Sequence, residues 1–339
     1  MKFDFDDILI QPSKHSDVVS RKDINPYDDK YFLPLITAPM DTVINGENEY
    51  EFVKCKIIPC QPRGIKSNGF TSYSLKNFKE KFIDKTDKQL KQNPKNVLID
   101  MANGHMRELE NITRAAKDKY GESLVLMVGN IANPETYKML SLAGADYIRV
   151  GIGNGGGCLT TQQLGVGYPM GSLIKECYDV SCSINNPAKI VADGGMKKYA
   201  DIIKALALGA DYVMVGSIFN KALESAGKTY TGKIARKCFE ATDEQIETFK
   251  EKKSICLYKK FRGMSTKAVQ RNWGVENLKT SEGVVKMQKV EYTIEGWIEN
   301  FEHYLRSAMS YTNAFKLSEF IGQVEYNLIT NNAFNRFNK

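Results

Sequence analysis

The chain has 339 residues, of which 42% are hydrophobic and 26% charged, and its formal net charge is +7. This balance is typical of a globular protein, and no stretch reaches the roughly 18 apolar residues of a membrane span, so no membrane association is predicted. The lysines are scattered and form no arginine-rich cluster with aromatic residues, which argues against nucleic-acid binding. A small phosphorylated ligand suits the positive charge instead.

The cysteine and histidine content indicates a reducing compartment and gives no metal signature. The seven cysteines are an odd number and form no C-x-x-C pair, so a disulfide framework is not expected. The three histidines lie far apart in the sequence and give no zinc pattern. The acidic opening, MKFDFDDILI, lacks a basic region followed by a long apolar core, so no secretory signal is predicted. We therefore expect a cytosolic protein.

After an irregular N-terminal arm over residues 1–33, short apolar runs alternate with longer amphipathic segments. The runs are rich in β-branched residues, and their continuous hydrophobicity favours strands buried on both faces of a parallel sheet. Eight runs predict strands, at residues 34–40, 56–60, 69–75, 96–102, 124–131, 147–153, 189–195 and 212–217.

Three of the intervening segments predict helices, at residues 106–121, 134–145 and 196–210. Each has apolar or small residues at helical spacing and stops near a glycine. Residues 61–68, between the second and third strands, are too few for a helix. Repeated strand–helix units with eight strands favour a (β/α)8 TIM barrel over a doubly wound sheet.

The pattern changes after the eighth predicted strand. Residues 220–260 are charged and mostly helical in character, with an exposed amphipathic helix in ATDEQIETFKEKKS. Residues 259–285 are polar with no sustained period, and they predict a long mobile flap of the kind that closes over barrel sites. A C-terminal helix with Trp297, Phe301, Tyr304 and Leu305 on one face is predicted to pack on the barrel or on another subunit. We predict a single barrel domain over residues 1–339, with the flap inside it.

The loop after the sixth predicted strand, GIGNGGGCLTTQQLGVGYPM over residues 151–170, is the most distinctive stretch of the chain. Its glycines allow a ligand to approach the backbone closely, and its exposed amides favour the thiolate form of Cys158. A flexible connector with an incidental cysteine is the alternative interpretation. Barrel enzymes carry their functional groups at the carboxyl ends of the strands, where this loop lies.

Other short motifs accompany this loop in a fixed order: FDFDDILIQPS with Ser20-Arg21, TAPMDTV, DMANGH, VGNI, ADGG, VMVGS, FRGMS, SEG and LRSAMSY. Together they resemble the IMP dehydrogenase/GMP reductase family over nearly the whole chain. The chain has no room for the CBS regulatory insert that IMP dehydrogenases usually carry, and its flap lacks their Arg-Tyr pair. DMANGH, GVGYP and LKTSEG are similar to the reductase branch of the family.

The resemblance implies NADPH-dependent reductive deamination of GMP to IMP and ammonia. Cys158 would attack purine C2 and form a covalent thioimidate, which splits one hard substitution into two easier steps. Thr160 and Glu282 would move the proton that lets ammonia leave. The family is typically tetrameric, so a homotetramer is expected.

The resemblance also implies a set of binding residues. Those for the purine nucleotide are Asp193, Gly194, Gly195, Gly216, Ser217, Gly263, Met264, Ser265, Ser281 and Gly283. Those for NADPH are Ser20, Arg21, Asp100, Met101, Ala102, Ile152, Gly153, Ser307, Ala308, Met309 and Ser310, of which the first two would reach a neighbouring subunit's cofactor. Carbonyls of Gly153, Gly155 and Cys158 match the family's monovalent-cation site and imply K+.

Departures from the family pattern leave open which nucleotide is reduced, GMP, dGMP or a modified purine, and whether NADPH or NADH is preferred. Two rival functions also stay open. Asn154 stands where the reductase loop normally has proline, and Arg63 is the nearest candidate for a basic residue expected after the second strand. One rival function is an NAD-dependent IMP dehydrogenase without the CBS module, in which Arg262 or Arg271 would have to activate water. The other is a non-catalytic purine-nucleotide-binding regulator, which would need neither the thiol nor the proton relay.

Overall fold

The computed structural model describes residues 1–85, 95–234, 237–252, 255–263, 266 and 284–337. Over these residues the strands are β1 (Ile8–Ile10), β2 (Leu35–Thr37), β3 (Cys60–Gln61), β4 (Phe70–Tyr73), β5 (Lys95–Asp100), β6 (Leu124–Ile131), β7 (Tyr147–Val150), β8 (Lys189–Asp193), β9 (Tyr212–Val215), β10 (Thr229–Ile234), β11 (Lys237–Glu240), β12 (Leu257–Arg262), β13 (Val285–Lys289) and β14 (Tyr326–Leu328).

The helices of the same residues alternate with the central strands and then follow them. They are α1 (Glu49–Lys54), α2 (Leu75–Phe78, continued by a π-helical turn at Lys79–Asp84), α3 (Arg107–Tyr120), α4 (Pro134–Leu142), α5 (Thr160–Leu164), α6 (Met170–Ser181), α7 (Tyr199–Ala207), α8 (Asp243–Lys252), α9 (Ile294–Tyr311), α10 (Leu317–Phe320) and α11 (Asn331–Phe337).

The eight strands β2 to β9 form one parallel sheet in which sequential neighbours pair and β9 returns to β2. A parallel bridge between Ile36 and Ile58 brings the first strand against the segment that leads into β3, so the sheet closes on itself. This confirms the predicted (β/α)8 barrel and all eight strands. As predicted, residues 62–69 contain no helix.

Two apolar layers hold the barrel together. The larger lies between the strands and the surrounding helices, and the smaller fills the barrel interior with side chains that include Phe70, Tyr147 and Tyr212. The edge-to-face contact of Phe70 with Tyr147, at 5.3 Å between ring centroids, spans strands β4 and β7. Because side chains fill the barrel, a ligand can enter only at one end of the strands.

The prediction that residues 220–260 are mostly helical was wrong. The segment contributes one helix, α8, and the strands β10, β11 and β12, which with β13 form a four-stranded antiparallel sheet in the order β11-β10-β12-β13. The alternation along β12 is real, but Lys259 takes an inward position between Leu257 and Phe261. Its ammonium donates to the carbonyls of Ser225 and Gly227. Because a lysine occupies a buried position, the sequence of β12 does not show the alternation of apolar and polar residues that predicts a strand.

The predicted flap begins and ends in this antiparallel sheet. Residues 259–262 belong to β12, residue 285 begins β13, and the two strands pair directly. Residues 264–265 and 267–283 lie outside the described residues.

The N-terminal arm is less irregular than predicted, because β1 pairs antiparallel with β14 near the other end of the chain. The C-terminal helix α9 packs on the outside of the barrel, where Trp297 stacks on Tyr199 of α7 at 4.8 Å between ring centroids. Trp297, Phe301 and Leu305 are buried as expected, whereas Tyr304 is half exposed. None of the helices that the structure describes is both long and apolar enough to cross a membrane.

Candidate active site

A cavity of about 290 Å³ opens at the carboxyl ends of the barrel strands. Strands on all sides of the barrel contribute to its lining, as a ring of parallel strands requires. Its polar and glycine lining includes Arg63, Asp100, Asn130, Arg149, Gly155, Gly156, Gly157, Cys158, Asp193, Gly194, Gly195, Gly216, Ser217 and Gly263. Apolar lining comes from Met40, Met101, Ala102, Met196, Met214 and Phe261, among others.

The cysteine loop leaves β7 through two glycines with positive φ. Gly151 has φ of +131°, and a Cβ there would lie 2.2 Å from the carbonyl oxygen of Asp193. Gly153 has φ of +83°, where a Cβ would collide with Thr161. Both positions therefore require glycine. The loop then turns on a hydrogen bond from Cys158 N–H to the Gly155 carbonyl at 2.9 Å, which sets the half-buried thiol into the cavity.

The Cys158 thiol lies beside a hydroxyl group of its own loop. Its Sγ is 3.1 Å from the Thr160 Oγ1, at the first residue of α5. The two-residue spacing places both groups at one point, where a hydroxyl can donate to a thiolate or carry a proton to an atom that the sulfur attacks. The structure thus brings together the two predicted catalytic residues that it describes.

The predicted nucleotide-binding glycines surround the same loop. A Cβ on Gly194 would lie 2.9 Å from the Gly155 nitrogen, and one on Gly156 would lie 3.7 Å from Ser217 Oγ. The ends of β8 and β9 therefore approach the cysteine loop within contact distance. Exposed backbone amides at such strand ends bind phosphate without a charged side chain.

An ionic array of Arg63, Asp100, Arg149 and Asp193 lies at the cavity. Arg149, from β7, donates from one guanidinium nitrogen to Asp100 Oδ1 at 2.8 Å and from the other to Asp193 Oδ2 at 2.7 Å. Arg63 donates to Asp100 Oδ2 at 3.1 Å and also to the Asp100 carbonyl. Asn130 donates to Asp193 Oδ2 at 2.7 Å. Two cations and two anions make the array neutral.

Arg149 is the residue of this array that the sequence analysis did not predict. It is 6% exposed, and although its burial opposes charging, the carboxylates of Asp193 and Asp100 raise its pKa, so it stays a cation. One signal was available in the sequence: an arginine within an otherwise apolar strand, YIRVGIG, must find buried partners. Arg63, the candidate for the basic residue expected after the second strand, does reach the cavity.

The antiparallel sheet covers one side of the cysteine loop, which the sequence also did not predict. Val284 N–H donates to the Gly157 carbonyl at 3.0 Å, and Phe261 and Gly263 line the cavity. Arg262, at the end of β12, forms a bidentate ion pair with Asp41 after β2. Charge-assisted pairs with this fork geometry fix orientation as well as adding energy, so the base of the predicted flap is tied to the barrel mouth.

Several predicted site residues do not meet at the cavity. Arg306 donates to the Arg21 carbonyl at 3.3 Å, so Arg21 lies beside α9, the helix that carries Ser307–Ser310. Neither Ser20 and Arg21 nor Ser307–Ser310 belong to the cavity lining. Ile152 and Gly153 lie in the cysteine loop but outside that lining. The predicted residues outside the described part of the chain are Met264, Ser265, Ser281, Glu282 and Gly283.

The fold and the site together define a class of protein: a (β/α)8 barrel enzyme with a cysteine on a glycine-rich loop, next to further glycines at the carboxyl ends of β8 and β9. A family profile described as "IMP dehydrogenase / GMP reductase domain" matches residues 76–337. The chain therefore belongs to the IMP dehydrogenase/GMP reductase family, whose members are oxidoreductases.

Three similar proteins carry reductase names. GMP reductase from Phytophthora infestans is 29% identical over 94% of this chain and 88% of that protein. GMP reductase 2 from Bos taurus is 30% identical over 94% of this chain and 92% of that protein. GMP reductase from Buchnera aphidicola is 30% identical over 99% of this chain and 98% of that protein. Each similarity covers the barrel and the site.

Proposed function

We propose that the protein reduces GMP to IMP and ammonia with NADPH through a covalent intermediate on Cys158. The observation that carries this proposal is the 3.1 Å contact between Cys158 Sγ and Thr160 Oγ1 in a cavity that Asp100 and Asp193 also line. A nucleophile, a proton-carrying hydroxyl and two ligand-orienting carboxylates are what reductive deamination of a nucleotide needs.

The nucleotide is held from its phosphate to its base. Backbone amides at Gly194-Gly195 and Gly216-Ser217 would receive the 5′-phosphate. Asp193 would accept hydrogen bonds from the ribose hydroxyls through Oδ1, which has no partner among the described residues because Arg149 and Asn130 both use Oδ2. The base then lies over Cys158.

The first chemical step makes a bond from sulfur to carbon. Cys158 Sγ would add to purine C2, and the C2–N bond to the exocyclic amine would break, with the nitrogen leaving as ammonia after it takes up a proton. Thr160 would carry that proton, and the family resemblance assigns Glu282 as its partner in the relay. The product of this step is a thioimidate on Cys158.

The second step releases IMP. When bound, NADPH would supply the hydride that C2 accepts. Cys158 then leaves as a thiolate, so it is regenerated in each turnover. The residues around the cavity fit the cofactor, because Asp100, Met101 and Ala102, which the resemblance assigns to it, line the cavity with the thiol.

The proposal includes a monovalent-cation site for K+, formed by the carbonyls of Gly153, Gly155 and Cys158. The Gly155 carbonyl already accepts the Cys158 N–H. Because a carbonyl oxygen has two lone pairs, this bond does not prevent it from binding K+ as well.

We also propose that the protein is a homotetramer and that it is located in the cytosol. The separation of Ser20, Arg21 and Ser307–Ser310 from the cavity supports a cofactor that spans two subunits of a homotetramer. Free thiols at Cys55, Cys60, Cys158, Cys177, Cys182 and Cys256 support a reducing, cytosolic environment.

Absorbance at the reduced-nicotinamide band tests the reaction. One cuvette contains the protein with GMP and NADPH, and the other contains it with IMP and NAD⁺. We expect NADPH to disappear in the first and nothing to change in the second. Growth of NADH from IMP would overturn the proposal in favour of an IMP dehydrogenase, and binding of GMP with no turnover in either cuvette would favour a non-catalytic regulator.

A further inference from the structure

We infer that Arg149 is a positioning residue that links the two ligand-orienting carboxylates of the site, Asp100 and Asp193. This inference rests on the proposed function, which assigns Asp100 to the dinucleotide and Asp193 to the ribose of the nucleotide. Neither sequence motifs nor the family profile single out Arg149. Its assignment comes from the geometry of the cavity.

The Arg149 guanidinium divides its donors between two carboxylates. Its two terminal nitrogens bind carboxylates that lie 49 residues before it and 44 residues after it, at 2.8 and 2.7 Å. The planar fork fixes the direction of each bond, so the separation of the two carboxylates is set by the width of one side chain. A lysine ammonium could not reproduce both bonds in that geometry.

Arg149 occupies a particular oxygen of each carboxylate. Arg149 and Asn130 converge on Asp193 Oδ2 and leave Oδ1 without a partner among the described residues. On Asp100, Arg149 donates to Oδ1 and Arg63 donates to Oδ2. The two hydrogen bonds together fix the orientation of the carboxylate. Arg149 therefore decides how both carboxylates face the cavity.

The positive charge of Arg149 balances the array. Asp100 and Asp193 are largely buried, with about one sixth of each side chain exposed, at 17% and 18%. Without Arg149 the array would carry two anions against the single cation of Arg63, and burial would then favour protonation of a carboxylate. Among the described residues, two further titratable groups lie near the array: Cys60, where burial raises the thiol pKa to about 12, and Cys158, which lines the same cavity.

The test compares Arg149→Met and Arg149→Lys with the wild type in binding of GMP and of NADPH, by titration calorimetry at several pH values. We expect Arg149→Met to weaken both ligands about tenfold or more, because both carboxylates lose a charged partner. The ratio of variant to wild-type Kd for GMP should grow as the pH falls from about 8 to about 6, since the unpaired carboxylates then take up protons. Taking the ratio cancels the titration of the ligand itself.

Arg149→Lys keeps the charge and serves if Arg149→Met fails to fold. It should weaken at least one of the two ligands about fivefold, because one ammonium cannot hold both carboxylates. Arg114→Met is the matched control, since Arg114 pairs with Glu110 on the exposed side of α3. It should leave both Kd values unchanged.

The outcomes separate this inference from the proposed function. If both Arg149 variants bind GMP and NADPH as the wild type does, and lose only thermal stability, Arg149 is merely structural and the inference is overturned. If the wild type binds neither ligand, the proposed function fails and the inference falls with it.

Discussion

At the scale of single residues, the contact between Cys158 and Thr160 is the feature that the chemistry depends on most. Thr160→Val keeps the shape of the side chain and removes the hydroxyl that lies 3.1 Å from the thiol. We expect kcat for GMP reduction to fall about a hundredfold with little change in GMP affinity, because a proton-transfer group acts mainly in the transition state. Steady-state kinetics with a separate GMP binding titration measures both quantities.

The neighbouring threonine provides the control for this change. Thr161 donates its hydroxyl to the Val166 carbonyl at 3.0 Å rather than to the thiol. Thr161→Val should therefore lower kcat much less than Thr160→Val. Wild-type turnover in Thr160→Val would mean that Thr160 carries no proton.

His105 gives a prediction on pH. Its Nε2 accepts the Ala132 N–H at 3.0 Å, so the ring is neutral and its Nδ1 donates to Thr136 Oγ1 at 2.9 Å. Burial lowers the pKa of His105. The folded protein thus binds fewer protons than the unfolded one as the pH falls through the ordinary histidine pKa, and the stabilisation from His105 is lost there.

We therefore expect His105→Ala to lower Tm at about pH 8 and the gap to the wild type to narrow below about pH 6, where the unfolded chain takes up a proton at His105 that the folded ring does not. Thermal melts at the two pH values measure this. His303→Ala, on the exposed face of α9, is the control. A gap that stays constant with pH would refute the neutral ring.

How far the sequence predicts these residues depends on how local their partners are. Cys158 and Thr160 are two positions apart in one loop, so their contact follows from spacing alone. Arg149 meets Asp100 and Asp193 only because the barrel closes, and no local pattern encodes those pairings. The arginine was visible in the sequence, but its partners were not.

At the scale of elements, the cysteine loop and the antiparallel sheet are packed too closely at one glycine to admit a side chain. A Cβ on Gly157 would lie 2.8 Å from the Phe261 ring and 3.3 Å from Gly263 Cα. We expect Gly157→Ala to reduce the free energy of unfolding by about 1–3 kcal/mol, because overpacking forces the sheet or the loop to shift. Urea denaturation measures the change, and kcat/KM should fall with it.

The adjacent glycine makes the control. A Cβ on Gly156 would meet nothing closer than 3.7 Å. Gly156→Ala should therefore leave the free energy of unfolding nearly unchanged. Equal losses in the two variants would show that the close packing of β12 on the loop does not matter.

The barrel strands and the antiparallel sheet differ in how far the sequence predicts them. The barrel strands were predictable because both of their faces are buried and their apolar runs are continuous. The antiparallel sheet was not, because Lys259 occupies an inward position of β12 and its buried ammonium is satisfied only by carbonyls from another segment. Burial lowers the pKa of Lys259 to about 8. A lysine in the sequence predicts an exposed position, and here that prediction fails.

At the scale of the whole molecule, the placement of Ser20, Arg21 and Ser307–Ser310 bears on assembly. Arg21 lies beside the helix that carries Ser307–Ser310, and none of these residues belongs to the lining of the Cys158 cavity. If Ser20 and Arg21 reach the cofactor of a neighbouring subunit in the homotetramer that we propose, the protein in solution should have close to four times the 38.2 kDa mass of one chain. Light scattering after size exclusion measures this mass, and a monomer with full activity would contradict the shared cofactor site.

The most direct test of the central claim is the paired release of ammonia and oxidation of NADPH in the presence of GMP, for the wild type and for Cys158→Ser. We expect the wild type to release one ammonia for each NADPH that it oxidises. Cys158→Ser should bind GMP but form neither product, because the hydroxyl is a far weaker nucleophile than the thiolate. Turnover by Cys158→Ser at the wild-type rate would contradict covalent catalysis by this loop.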